Sequence, residues 1–113
     1  MTSLTSANAW LLLIIAGLFE IGWPIGYQLS ANPKYRVLGW VMVVVCVLIS
    51  GVLLWLAQKS IPIGTAYAVW TGIGAAGTFL VGVYFFHDSM SVLRFVGVTL
   101  IILGVITLKL AES

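Results

Sequence analysis

Residues 10–28 read WLLLIIAGLFEIGWPIGYQ. A run of about 20 mostly apolar residues, rising 1.5 Å per residue, crosses the ~30 Å hydrocarbon core of a bilayer as a helix. This stretch has that length and carries a single charged residue, Glu20. It therefore predicts a membrane-spanning helix with an acid near its middle. It does not read as a cleavable signal peptide. No basic region precedes it, the acid occupies its centre, and no small-residue cleavage site follows.

Three further apolar runs lie beyond it, at about 37–56, 63–86 and 92–110. The expected fold is an all-α integral membrane protein, with residues 1–113 forming one four-helix transmembrane domain. No strand-period alternation suggests a barrel. The connections contain Ser30-Ala31-Asn32-Pro33, Gln58-Lys59-Ser60-Ile61-Pro62 and His87-Asp88-Ser89, all with turn chemistry. Short links make sequential helices antiparallel neighbours and place both termini on one side.

Composition agrees. Of the 113 residues, 62% are hydrophobic and 7% are charged, and the mean hydropathy is +1.19. A soluble domain carries about 25% charged residues on its water-facing surface. The composition excludes a soluble enzyme, a disordered chain and a nucleic-acid binder. The net charge of +2 comes from scattered residues and forms no basic patch. The single cysteine, Cys46, supports neither a disulfide framework nor a metal cluster. Nothing in the pattern requires a cofactor or a metal.

Charge also bears on orientation, because cytoplasmic loops carry the excess of Lys and Arg. Lys34, Arg36 and Arg94 fall on the side of the first and third connections. Lys59 and Lys109 fall on the side of the termini and the middle connection. The bias is small. Insertion in both orientations and a single orientation held by weak bias both stay open.

Seven charged residues mark connections or span ends, and Glu20 does not. A carboxylate near the midplane costs roughly 2.5 kcal/mol or more and marks a functional site by default. Desolvation favours its neutral form, so it can hold a proton and release it to an arriving cation. That is the chemistry of a proton-coupled cation exchanger. The bland alternative is a structural carboxylate locked by its neighbours.

Helical spacing places Trp23, Pro24, Tyr27 and Gln28 on the Glu20 face in one direction, and Gly17, Ala16 and Leu13 in the other. Pro24 removes the helix hydrogen bond to the Glu20 carbonyl. Two readings follow: a bend that frees this oxygen for a ligand, or a kink that membrane helices tolerate. In the third span, Gly64, Ala68, Gly72 and Ala76 form a small-residue stripe suited to close helix approach. Tyr67, Trp70, Thr71 and Gly74 occupy another face. The run from Gly72 to Gly77 has low helix propensity and is a candidate hinge. Ser50 stands at mid-depth in the second span as a candidate donor to a carboxylate. In the fourth span, Gly97 and Gly104 share a face and read as a helix-pairing seam, while Lys109 snorkels to the headgroups.

One such subunit is too thin to wrap a polar cavity and shield it from lipid. Two copies inserted in opposite directions would bring two Glu20 carboxylates together, following the logic of inverted repeats in transporters.

The segments Ala16-Gly17-Leu18-Phe19-Glu20, PIGTAYAVWTGIG from Pro62 to Gly74, and Gly104-Val105-Ile106-Thr107-Leu108-Lys109 are similar to those of small multidrug resistance transporters. The resemblance runs along nearly the whole chain. Trp23, Gly64-Thr65-Ala66-Tyr67 and Lys109 resemble the guanidinium-exporter subtype. The resemblance implies an antiparallel homodimer in the bacterial inner membrane that exchanges protons for guanidinium-type cations. It implies that Glu20 binds substrate or proton, and that Trp23, Ser50, Tyr67 and Trp70 line the site. Gly17, Tyr27 and Lys109 would support them, and Arg94 falls on a family basic position. The subtype usually has Ala after the Trp and Leu-Lys at the helix end, where this chain has Pro24, Tyr27 and Gln28. These changes would reshape the portal for substituted guanidines. The alternatives are a quaternary-ammonium exporter of the same family, a small ion channel, and a subunit that needs a paralogous partner.

Overall fold

The computed structural model describes residues 6–111. Four helices follow in order: α1 (Ser6–Ser30), α2 (Arg36–Ala57), α3 (Ile63–Phe85) and α4 (Val92–Ala111). Each is long and apolar enough to cross a membrane. All four expected spans are present, and the helices extend past several predicted ends. α1 runs from Ser6, where the described residues begin, to Ser30, past the predicted end at Gln28.

The connections behave as turn chemistry dictates. Asn32 caps a single 3₁₀ turn, Pro33–Tyr35, by accepting the Lys34 N–H at 3.0 Å. Pro62 stands just before α3, where its missing N–H costs nothing. After α3, His87 adopts a left-handed φ of 62° and reverses the chain. The basic residues at span edges lie over aromatic rings. Lys59 Nζ is 4.3 Å from the Trp55 ring centroid, and Lys109 Nζ is 5.1 Å from that of Trp10.

Packing is uneven. α1 packs most extensively on α2, then on α3, while α2 and α3 barely meet. α4 lies along α3 and buries only Val98 among its described residues. The molecule is a slab of 46 × 34 × 17 Å, about two helices thick. Its main apolar cluster joins Trp10 and Leu13 of α1, Ala57 and Ile61 near the middle connection, and Ala66 and Val69 of α3.

Glycines set the helix separations. Gly26 and Gly39 face each other across α1 and α2, so closely that a Cβ on either would lie 2.5–2.6 Å from the other's carbonyl oxygen. The stripe in α3 divides. A Cβ on Gly72 would meet Val105 of α4 at 2.7 Å, and Ala76 is buried, whereas Gly64 and Ala68 are exposed. Residues four apart drift about 40° around a helix, so a twelve-residue stripe turns away from a straight neighbour. The seam expected at Gly97 and Gly104 meets nothing within the subunit, since a Cβ at either would enter open space. The glycine run in α3 is continuous helix, and so is α1 through Pro24.

Candidate functional site

Glu20 lies half-buried in the middle of α1, with two helix turns or more on either side. α3 crosses beside it because two glycines allow the approach. A Cβ on Gly17 would meet the Ile73 side chain at 2.8 Å, and a Cβ on Gly74 would meet Glu20 Cγ at 2.6 Å. Gly74 thus makes the space in which the carboxyl-bearing side chain lies.

Ser50 of α2 is 1% exposed and is the one buried polar side chain among the described residues. Its hydroxyl donates to the Ala16 carbonyl at 2.8 Å and accepts the Trp70 indole N–H at 2.8 Å. The same oxygen lies 3.5 Å from Glu20 Oε1. A serine has one proton to give. The short bond to Ala16 takes it, so the contact to the carboxyl is marginal in geometry. Three helices are tied together through Ser50, whose hydroxyl approaches Glu20 Oε1 only at 3.5 Å.

The other expected site residues are distributed unevenly. Trp70 reaches Glu20 through Ser50, to which its indole N–H donates. Trp23 turns toward α2: its ring meets Tyr27 edge-on at 5.5 Å, and Tyr27 meets Trp40 edge-on at 5.3 Å. Trp23, Tyr27 and Trp40 form an aromatic ladder rising from the level of Glu20 toward the first connection. Trp40 was not singled out from sequence. The signal was its place one turn into α2, opposite Tyr27 in an antiparallel pair. Tyr67 is 56% exposed and reaches the group through Trp70, with ring centroids 5.4 Å apart. It borders an open groove between α3 and α4 with Thr71 and Gly104.

Lys109 and Arg94 stand apart from this centre. Lys109 covers Trp10 in the last turn of α4. Arg94 donates to Ser89 Oγ at 2.9 Å and lies 5.8 Å from the Phe79 ring centroid, which fastens the third connection to α3.

The Ser50–Trp70 bond makes a quantitative prediction. Ser50→Ala leaves the indole N–H without its acceptor, and should cost about 1–3 kcal/mol. Trp70→Phe should cost less in hydrogen bonding but more in shape. The double variant should be less destabilised than the two single losses combined, because both remove the same bond. A double-mutant cycle of denaturant unfolding in detergent measures this coupling. Strict additivity would show that the bond contributes nothing.

A family model described as Small Multidrug Resistance protein matches residues 8–101. The chain is 46% identical over 104 residues to the guanidinium exporter of Yersinia pestis, covering 92% of this chain and 99% of that one. It is 42% identical over 103 residues to the guanidinium exporter of Escherichia coli strain K12, covering 91% and 97%. It is 38% identical over 104 residues to that of Proteus vulgaris, covering 92% and 99%.

Proposed function

Because the chain belongs to the small multidrug resistance family, we propose that it exports guanidinium or small substituted guanidinyl cations across the bacterial inner membrane in exchange for protons. The observation that carries the reading is Glu20. It is an acid midway along a membrane-spanning helix, its oxygens approached by a serine hydroxyl only at 3.5 Å. Guanidinium is planar and carries a fork of N–H donors that matches a carboxylate bidentately. The nearby Trp70 ring adds cation–π attraction. A carboxyl in that place holds either a proton or the cation, and the competition couples the two fluxes.

A second copy supplies what one subunit lacks. The slab is only 17 Å across its thinnest axis, and α4 leaves Gly97 and Gly104 open. An antiparallel homodimer joined along α4 would bring two Glu20 carboxylates together near the midplane. Two carboxyls carry two protons or one monovalent cation, so the exchange would move net charge.

The test is transport by the purified chain in proteoliposomes under an imposed pH gradient. Guanidinium should drive an electrogenic exchange current that exceeds the response to tetramethylammonium. A larger tetramethylammonium current would assign the quaternary-ammonium reading instead. No current from the chain alone, restored by a paralogous subunit, would make it half of a heterodimer.

A further inference from the structure

A second acidic group, Asp88, lies at the membrane edge on the seam that leads to Glu20. The chain reverses after α3 so that the Asp88 and Phe86 N–H groups both donate to the Gly82 carbonyl, at 2.9 and 3.1 Å. This reversal, made at His87 with φ 62°, folds the Asp88 carboxylate back onto α3. The carboxylate lies against Gly82, in the space that a Cβ at that position would take. The carboxylate roofs a cavity of about 200 Å³ between α1 and α3, whose polar lining also includes Gln28 and Thr78.

Electrostatics make this a poor place for an uncompensated anion. The C-terminal end of a helix carries partial negative charge and favours cations. Asp88 adds a full negative charge to that end of α3. The nearby Arg94 guanidinium donates to Ser89 and lies by the Phe79 ring, and among the described residues it makes no salt bridge with Asp88. The cavity also lies near Glu20, with the Ile21 side chain, packed on Gly77, between them. Pro24 borders it and is one turn from Glu20 along α1, and Gln28 is two turns away, about 12 Å at 1.5 Å per residue. The space is below the roughly 300–1,000 Å³ of sites for drug-sized ligands, which suits a small ion.

We infer that Asp88, Gln28 and Thr78 form a peripheral cation site that takes a guanidinium-type cation from water and, when the Ile21 side chain swings off Gly77, delivers it to Glu20. The carboxylate and the α3 terminus attract the cation, the Gln28 carbonyl and Thr78 hydroxyl accept its N–H groups, and Asp88 remains exposed to solvent for capture. The delivery step rests on the exchange proposed above, and the binding step does not.

The experiment separates them. The full chain carrying Glu20→Gln is placed in phosphatidylglycerol nanodiscs, which present no amine headgroup, and titrated with guanidinium chloride. The Gln28 side-chain amide and Gly82 backbone amide NMR resonances should shift saturably, and equal potassium chloride should not reproduce the shift. Adding Asp88→Asn, which keeps size and backbone bonding, should abolish saturation. Gln28→Leu, which leaves the third connection untouched, should weaken it. In the otherwise wild-type chain, Asp88→Asn should raise the half-saturating guanidinium concentration about threefold at little change in maximal rate, the scale of one solvent-exposed ion pair. Shifts that persist in both Asp88→Asn and Gln28→Leu, or that potassium reproduces, would overturn the site. Saturable binding without any change in half-saturation would keep the site and overturn its role in delivery.

Discussion

Glu20→Gln in proteoliposomes should lose guanidinium-driven current and the accompanying proton movement by at least about 100-fold. A hydrogen bond to a charged group contributes about 1.5–3 kcal/mol, and a bidentate pair has two. Losing about 3–6 kcal/mol of cation binding corresponds to a factor of about 10² to 10⁴. The proton loss has a separate origin, because an amide of the same size has no titratable oxygen. Both ligands of the exchanger vanish together. The fold should persist, as a neutral side chain costs less than a charged one at that depth. Gly74 also still makes room for a side chain of this length. Helicity by circular dichroism and elution from a sizing column check that point. Glu20→Asp keeps the charge on a shorter stem and should retain reduced transport. Coupled exchange by Glu20→Gln at the wild-type rate would remove Glu20 from the mechanism.

Why the sequence revealed Glu20 so readily, yet not its surroundings, has a physical answer. A span is read from hydropathy alone, and seven of the eight charges fall at edges where water reaches them. The exception needs no structural knowledge to be noticed. Ser50 and Trp70 could likewise be named as polar groups on apolar helices. Their bonding order could not, because it depends on which acceptor comes within 2.8 Å of the one serine proton. That acceptor is the Ala16 carbonyl, a backbone atom without a sequence signature. Trp23 and Tyr27 share the Glu20 face by spacing, yet they stack toward Trp40 of α2. The rotation of a helix is read from an apolar stripe against a polar one. When nearly every residue is apolar, that contrast disappears, and the helix can be found without its facing being known. The stripe in α3 shows the same limit. Small residues mark where a neighbour could approach, and only the crossing with α4 decided that Gly72 is used and Gly64 is not.

Gly39→Ala should be the most destabilising single-methyl change in the subunit. A Cβ at Gly39 would lie 2.5 Å from both the Gly26 carbonyl oxygen and the Ser30 nitrogen, and 2.9 Å from the Ser30 Cα. All three are backbone atoms of α1, so no side chain can rotate away. The helices themselves must separate. Gly26→Ala meets backbone too, the Gly39 carbonyl oxygen at 2.6 Å and the Val43 nitrogen at 3.0 Å, while elsewhere the obstacle is more yielding. Gly17→Ala meets the Ile73 side chain, and Gly97→Ala and Gly104→Ala meet nothing within the subunit. Overpacking a close contact costs about 1–3 kcal/mol and occasionally more, and a rigid backbone obstacle belongs at the upper end. The interface involved is the most extensive in the molecule. Opening it would pull α1 from α2 near the Tyr27–Trp40 contact and strain the Ser50 bond to Ala16 further down. Without a hydrophobic force between helices in lipid, such close packing is a large share of what holds them together. Denaturant unfolding in detergent should therefore place Gly39→Ala well below wild type, Gly17→Ala between them, and Gly97→Ala near wild type for the subunit's own fold. Transport should separate the classes again, since Gly97→Ala would impair a second copy docking on α4 without unfolding the first. A Gly39→Ala chain as stable as wild type would mean that α1 and α2 do not approach as closely as Gly26 and Gly39 allow.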